Sequence, residues 1–220
     1  MKKSCCTLIF AVVAFFCFAQ NGYKKVYKYG AYNRDWALVK DITGNYGFID
    51  SDGKEVVPTN YKKIGKFNKT VYNYALVKDV LGYYGLIDCY GKEVVPPNYK
   101  KIGKFNKTVY NYALVKDVLG YYGLIDCYGK EVVPPNYKKI GKFNKTVHNY
   151  ALVKDVLGYY GLIDCYGKEV VPPNYKKIGK FNKTVHNYAL VKDVLGYYGL
   201  IDCYGKEVSA MHEDDSEDEE

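Results

Sequence analysis

The chain has 220 residues, of which 48% are hydrophobic and 25% charged, which suits a folded soluble body and excludes low-complexity disorder over most of its length. It contains 27 tyrosines against one tryptophan, and tyrosine suits half-buried strand positions and adhesive surfaces alike. Its net charge of +8 is uneven, because residues 213–220 contain seven acids while residues 4–212 carry a net +13.

The first 19 residues predict an export signal. Lys2 and Lys3 make a positive start, residues 7–18 are almost wholly apolar, and small residues two apart fit cleavage after Ala19. The apolar run is short for a bilayer span, and an uncleaved membrane anchor is the alternative. We therefore expect an exported protein of the periplasm, cell surface or extracellular space, with no transmembrane span in its mature chain.

A 38-residue period organises residues 20–211. The string from Leu81 to Phe105 returns unchanged twice, and a fixed period of this length predicts a solenoid, a propeller or an array. The alanines that mark the period are Ala37, Ala75, Ala113, Ala151 and Ala189. The five whole units, called copies one to five below, occupy about residues 22–59, 60–97, 98–135, 136–173 and 174–211.

Copy two shows the local elements in order. Residues 75–80 and 83–88 are rich in apolar and aromatic residues and predict two strands joined by a turn at Leu81-Gly82. Asp88-Cys89-Tyr90-Gly91 predicts a hairpin turn, because Asp can bond its own backbone and Gly tolerates positive φ. Residues 92–95 predict a third strand.

The end of the unit is predicted from its prolines and its apolar spacing. Pro96-Pro97 should end the third strand, because proline removes ladder donors. Residues 98–105 then predict an irregular or single-turn segment, with Tyr99, Ile102 and Phe105 on one face of a helical turn. The expected fold is all-β, with about three short antiparallel strands per repeat in an open solenoid-like array. A five-bladed propeller-like ring is the alternative, although propeller blades usually have four strands.

These motifs also resemble a known family. Ala-Leu-Val, then Tyr-Tyr-Gly-Leu-Ile-Asp, then Tyr-Gly-Lys-Glu-Val-Val-Pro-Pro-Asn-Tyr and a following Phe are similar to the WG-containing repeat of bacterial proteins. The resemblance covers all five copies and implies a β-rich repeat with a binding or scaffolding role and no catalytic residues. Tyr-Gly replaces the name-giving Trp-Gly at Tyr46-Gly47, Tyr84-Gly85, Tyr122-Gly123, Tyr160-Gly161 and Tyr198-Gly199.

The cysteines and histidines give little support for a metal or cofactor site. One cysteine lies in each hairpin turn of copies two to five, and free thiols are the favoured interpretation, with disulfides as the alternative. No Cys-x-x-Cys pair exists, and His148 and His186 stand where other copies have Tyr, as expected for surface positions. We therefore predict no metal and no cofactor. The four turn cysteines are Cys89, Cys127, Cys165 and Cys203.

The acidic residues do not predict catalysis. Asp88 and Glu93 could be read as a glycosidase pair, but Asp88 fits the turn and Glu93 fits a solvated strand edge. Nearly identical copies also lack the asymmetry that an enzyme site needs. We predict no enzymatic activity, with hydrolase as the third-ranked function. Residues 212–220 form an acidic tail that should be disordered.

The repeated basic and aromatic residues predict a binding surface. Lysines interleaved with aromatics can bind nucleic acid, but export argues against an intracellular nucleic acid and leaves an anionic glycan or another polyanion as the alternative ligand. The expected function is a binding or scaffold surface for an unknown protein or a cell-surface glycan. Asn68, Asn106, Asn144 and Asn182 begin glycosylation sequons. The predicted surface residues are Tyr83, Tyr121, Tyr159, Tyr197, Lys100, Lys138 and Lys176.

Overall fold

The computed structural model describes residues 22–33, 35–67, 73–105, 111–143, 149–181, 187–209 and 212. Across these ranges the chain forms strands and turns and no helix, so the predicted all-β fold of tandem antiparallel repeats is confirmed. It divides into two compact units, one up to Lys101 and one from Ile102 onward. The predicted export signal lies outside the described residues, as do His148, His186, the four sequon asparagines and all of the acidic tail except His212.

After an initial strand β1 (Tyr23–Val26), the first four 38-residue periods each contribute three strands and the last contributes two. The first strands of the period are β2 (Ala37–Asp41), β5 (Ala75–Asp79), β9 (Ala113–Lys116), β13 (Ala151–Lys154) and β16 (Ala189–Asp193). The second strands are β3 (Tyr46–Ile49), β6 (Tyr84–Ile87), β10 (Tyr122–Ile125), β14 (Tyr160–Ile163) and β17 (Tyr198–Ile201). The third strands are β4 (Glu55–Ile64), β7 (Glu93–Tyr99) continued by β8 (Lys101–Ile102), β11 (Glu131–Tyr137) continued by β12 (Lys139–Ile140), and β15 (Glu169–Ile178).

The strands pair with their sequence neighbours in open antiparallel sheets, as expected for a solenoid-like array. In the first unit, β1 to β7 form one sheet in chain order. In the second unit, β12 to β17 do the same, and a four-stranded sheet runs from β11 to β8, which lies at the division between the units. The long strands β4 and β15 pair with one strand through their first half and with the next strand through their second half. Each therefore belongs to two neighbouring copies at once.

The prediction that Pro96-Pro97 ends the third strand is wrong. Leu86 pairs with Val95 and Tyr84 pairs with Tyr99, so residues 96–98 all lie opposite Gly85 alone. The ladder is interrupted where the prolines lack their N–H donors, and the strand resumes beyond them. A Cβ on Gly85 would lie 2.5 Å from the Val95 carbonyl oxygen, so only glycine admits this close crossing.

The predicted helical turn at residues 98–105 is also wrong, because Tyr99 and Lys101-Ile102 are strand residues. The register of the equivalent segment in β4 shows why three-residue spacing arises in a strand. Tyr61 pairs with Asp79 and Lys63 with Lys78, which leaves Lys62 as an extra residue in a bulge. Because the bulge adds one residue to the usual two-residue alternation, Tyr61 and Ile64 both face the interior.

The larger core clusters of the described residues join consecutive copies. In the second unit, Leu124 and Val133 of copy three pack with Tyr137, Ile140, Ala151, Val153 and Ile163 of copy four. An equivalent cluster joins copies four and five, and another joins copies one and two in the first unit. Copy one also has a small cluster of its own, formed by Ala37, Val39 and Ile49, but the larger clusters need residues of two copies, so the stability of a copy depends on its neighbours.

Candidate functional site

One end of the hairpins carries the turn between the first and second strands of each copy, and this end is called the first-turn edge below. In copy two, the backbone N–H of Asp79 donates to the Tyr83 carbonyl (2.9 Å), and the Asp79 carboxylate accepts from the backbone N–H of Tyr83 (2.8 Å). Gly82 takes a φ of +96°, which favours glycine. In copy one, desolvation alone would raise the pKa of Asp41, but hydrogen bonds from Asn45, Thr43 and Gly44 outweigh it and lower that pKa.

The tips of this edge are aliphatic and exposed. The leucines at the tips of copies two to five are 75–76% exposed, and the valines before them are 41–54% exposed. Local turn chemistry does not require apolar residues there, and copy one has Ile42-Thr43 at the same place. The tip residues are Val80-Leu81, Val118-Leu119, Val156-Leu157 and Val194-Leu195.

The predicted surface residues lie at this same edge. Because Tyr84 pairs with Tyr99, the adjacent residues Tyr83 and Lys100 lie at the same end of the hairpin. Lys100, Lys138 and Lys176 are exposed, whereas Tyr83, Tyr121, Tyr159 and Tyr197 are half-buried. The structure thus brings the tyrosine of one copy and the lysine of the next copy to the same end of a hairpin, and their role in binding stays a prediction.

Lysines lie directly opposite each other beside these tips. The cross-strand pairs are Lys25 with Lys40, Lys63 with Lys78, Lys139 with Lys154, and Lys177 with Lys192. Like charges opposed across two strands destabilise a sheet. One lysine of each pair is partly compensated, since its ammonium lies over the ring of its other cross-strand neighbour: Lys40 over Tyr46, Lys78 over Tyr84, Lys154 over Tyr160 and Lys192 over Tyr198, at 4.5–5.2 Å.

The opposite end of the hairpins, called the second-turn edge, carries the cysteine-containing turns. The Asp88 carboxylate accepts from the backbone N–H groups of Tyr90 and Lys92, each at 2.9 Å, and Gly91 takes a φ of +86°, so the predicted hairpin turn is confirmed. The tyrosines at these tips are 76–82% exposed, and they were absent from the predicted surface. Their position between Asp and Gly of a tight turn was the signal that could have identified them. They are Tyr90, Tyr128, Tyr166 and Tyr204.

The second turns of copies two, four and five are each seated on the preceding copy. The hydroxyl of Tyr112 in copy three donates to the backbone carbonyl of Cys165 in copy four (2.8 Å), and Tyr150 makes the same bond to Cys203 (2.8 Å). A Cβ on Gly167 would lie 2.5 Å from the Val132 carbonyl oxygen, so the turn backbone touches the strand below it. The exposed tyrosines Tyr90, Tyr166 and Tyr204 therefore lie on turns that are packed against the preceding copy.

In copies two and four, a buried tyrosine forms a hydrogen bond with the glutamate that follows the second turn. The Tyr61 hydroxyl donates to the Glu93 carboxylate (2.5 Å), and Tyr137 donates to Glu169 in the same way (2.5 Å). Burial, and after it the hydrogen bond to the carboxylate, raises the pKa of Tyr61 and of Tyr137 well above the usual range. Both carboxylates accept a hydrogen bond from a tyrosine hydroxyl. Glu93, which with Asp88 could be read as a glycosidase pair, therefore has a structural role.

These tyrosines predict a loss of stability in alkaline solution. A folded-state pKa above the unfolded value stabilises the fold below about pH 10, and that stability is lost as the pH rises through the folded pKa. We expect the free energy of unfolding in urea to fall between about pH 10 and pH 11. The fall should be smaller in a Tyr61→Phe/Tyr137→Phe variant, since phenylalanine cannot ionise. Equal falls in the two proteins would contradict this assignment.

Across the described part of the chain, no three or more His, Cys, Asp and Glu residues cluster as a metal site would require. No disulfide links the four turn cysteines. Within the described ranges, nothing helical has the length and apolar character needed to cross a bilayer.

The 38-residue repeat shows to which protein family the chain belongs. The model of the family described as WG containing repeat matches residues 46–79, 84–117, 122–155 and 160–193, which together exceed half of the chain. The chain belongs to the WG-containing repeat family. The resemblance predicted from the sequence is confirmed, with Tyr-Gly at the name-giving position of each matched segment.

Comparison with solved structures shows distant likeness. BamB from Moraxella catarrhalis is 14% identical with a TM-score of 0.29, over 84% of this chain and 59% of that one. The chain thus spans less than two thirds of the length of BamB. A protein of unknown function from Bacteroides caccae is 14% identical with a TM-score of 0.26, over 86% of this chain and 80% of that one. A search of the curated proteins gives no match.

The family's two name-giving positions have separate structural roles in this WG-containing repeat protein. Tyr84, in place of tryptophan, pairs with Tyr99 across one strand and lies under the Lys78 ammonium across the other. Gly85 allows the third strand to cross directly over it. The aromatic residue therefore belongs to the first-turn edge, while the glycine determines how the sheet is built.

Proposed function

We propose that this WG-containing repeat protein is an exported, non-enzymatic docking protein whose second-turn edge binds a partner protein. The observation that carries the proposal is the exposed tyrosine at each second-turn tip of copies two to five, at 76–82% exposure. Tyrosine is enriched at protein interfaces because it offers a large contact area at a low cost in side-chain entropy. The predicted export signal supports a partner in the cell envelope or outside the cell.

The seating of the turns supports binding by preformed contacts. The backbone of each such turn is held by its Asp carboxylate, and the Cys165 and Cys203 turns are also bonded to the preceding copy. A rigid base reduces the ordering cost that a flexible loop would incur on binding. Identical tips in successive copies also allow a repetitive partner to engage several at once, so that apparent affinity rises through effective concentration.

An anionic or neutral glycan is the second candidate. The observation that favours it is an exposed lysine two residues after each exposed tyrosine, so that every tip offers a ring and a positive charge together. These lysines are Lys92, Lys130, Lys168 and Lys206. The same tips would serve both candidates, and the ligand class separates them.

The test compares the two tyrosine sets in the full chain. One variant replaces the second-turn tyrosines 90, 128, 166 and 204 with serine, and the control replaces the predicted tyrosines 83, 121, 159 and 197. We expect the first variant to lose about tenfold or more in apparent affinity for a captured envelope protein, because multivalent contact is removed. Binding that is unchanged in the first variant would overturn the proposal. Loss only on a glycan array would instead assign the tips to the second candidate.

A further inference from the structure

The proposed function concerns the second-turn edge and gives no role to the exposed aliphatic tips of the first-turn edge. An exposed leucine beside an exposed valine recurs in four copies, whereas isolated exposed apolar residues need no explanation. In the second unit, Tyr175 pairs with Tyr160 on one side and with Asp193 on the other. On this edge, the end of the copy-four turn therefore lies about two strand spacings, or roughly 10 Å, from the start of the copy-five turn.

The charges around the same tips point to an anionic ligand. Lys177 and Lys192 face each other directly beside the turn that begins at Asp193. The exposed Lys176 lies between Tyr175 and Lys177 in the bulge. The Asp193 carboxylate at the start of this turn accepts backbone N–H groups of its own turn, including those of Gly196 at 2.7 Å and Tyr197 at 2.8 Å. An anion would relieve the repulsion between the opposed ammonium groups.

We infer that the first-turn edge docks on an anionic lipid surface. The leucine and valine tips enter the boundary between headgroups and acyl chains, and the half-buried tyrosines and the lysines lie at headgroup level. Tyrosine favours this level of a bilayer because its ring is apolar and its hydroxyl is polar, and basic residues are attracted by anionic headgroups. The inference concerns a different surface from the proposed protein-binding edge and stands or fails separately.

A lipid surface fits this edge better than the other possible occupants. The tips are small and belong to successive copies, and a bilayer accepts such tips without a complementary shape, whereas a protein partner would need one. A second copy of the chain pairing edge to edge would bring lysines against lysines. An anionic bilayer provides both an apolar interior for the tips and counter-charge for the lysines.

The test uses tryptophan as a local probe in the full chain. Leu157→Trp places the probe at the first-turn edge, and the control Tyr166→Trp places it at the second-turn edge of the same copy. The replaced side chains are almost equally exposed, at 75% and 76%. Both variants share Trp36 and the N-terminal apolar run, so a difference between them reports on the edges. With phosphatidylglycerol–phosphatidylcholine vesicles, we expect a blue shift in tryptophan emission for Leu157→Trp alone.

Sedimentation provides the second measurement. Replacing leucines 81, 119, 157 and 195 with serine should lower the vesicle partition coefficient about tenfold or more, because binding scales with buried apolar area and anionic charge. The serine variant of tyrosines 90, 128, 166 and 204 should partition like the parent chain, even if it loses its protein partner. Vesicles of phosphatidylcholine alone, or high salt, should reduce binding of the parent chain.

Three results would overturn the inference. The first is an equal shift, or no shift, for the two tryptophan variants. The second is a parent chain that does not sediment with phosphatidylglycerol vesicles at low salt. The third is a parent chain that self-associates, becomes monomeric in the four-serine leucine variant and shows no vesicle binding, which would assign the edge to contacts between copies of the chain.

Discussion

Gly161→Ala is expected to destabilise the second unit by about 3 kcal/mol or more, at the upper end of what overpacking costs. A Cβ at this position would lie 2.5 Å from the Val171 carbonyl oxygen and 2.8 Å from the Pro173 backbone nitrogen. Both neighbours are backbone atoms, so the third strand itself must move. The measurement is the free energy of unfolding in urea, followed by far-ultraviolet circular dichroism.

Gly179→Ala is the matched control in the same unit. Its Cβ would meet the Leu190 carbonyl oxygen at 3.1 Å, which a shift of a few tenths of an ångström relieves. We expect a cost of about 1 kcal/mol, near the centre of the distribution for point substitutions. Similar losses in the two variants would show that the close strand crossing is not what requires glycine at position 161.

Phe48→Ala is expected to cost about 3–5 kcal/mol in the first unit, the usual range for deleting a buried phenylalanine ring. Phe48 is fully buried, and its ring centroid lies 5.5 Å from that of Trp36, 5.7 Å from that of Tyr32 and 5.9 Å from that of Phe67. Removing it leaves a cavity at the centre of an aromatic cluster. Because Trp36 is the chain's one tryptophan, its fluorescence during urea unfolding reports on this unit.

The repeats themselves supply the control for this substitution. The other copies carry leucine at the equivalent position, for example Leu86 and Leu124, which are 6% and 5% exposed. Phe48→Leu should therefore lower the free energy of unfolding clearly less than Phe48→Ala does, although Tyr32, Trp36 and Phe67 pack against the phenylalanine ring. A loss as large as that of Phe48→Ala would mean that the aromatic cluster, and not the filled volume, stabilises copy one.

The 38-residue period, the all-β fold and the hairpin turns could be predicted because each depends on residues that are close together in the sequence. Asp88 and Gly91 determine a tight turn whatever packs around it, and the 38-residue spacing is read directly. The continuation of the strand beyond Pro96 could not be predicted in this way. It depends on Gly85, eleven residues earlier, which lies opposite the prolines and leaves room for them.

The helical interpretation of residues 98–105 failed for a related reason. Tyr99 and Ile102 are three apart and both buried, a spacing typical of a helix face. A bulge at the intervening lysine gives the same spacing in a strand, and nothing local distinguishes the two causes.

The binding surface was predicted only in part. Tyr83 and Tyr90 are both tyrosines beside turns, and their exposure differs because Tyr83 begins the next strand region whereas Tyr90 occupies the turn tip. The seating of the copy-four and copy-five second turns on the preceding copy depends on hydrogen bonds between residues 53 positions apart, Tyr112 with Cys165 and Tyr150 with Cys203. Such contacts depend on how consecutive copies pack against each other, which a single repeat does not encode.

The sharing of one long strand between two copies has a kinetic consequence. Copies two and three are identical at all 38 positions, so during refolding a half-strand leaving one of them cannot distinguish its proper partner from the same segment one period further on. A slip by one whole period preserves every local pairing and expels 38 residues as a loop, at a closure cost that grows only slowly with loop length. Such a trap can be escaped only by unpairing both halves of the long strand. The drift of copy one, with its own Trp36 and Phe48, therefore gives the array a recognisable starting end from which correct pairing can propagate.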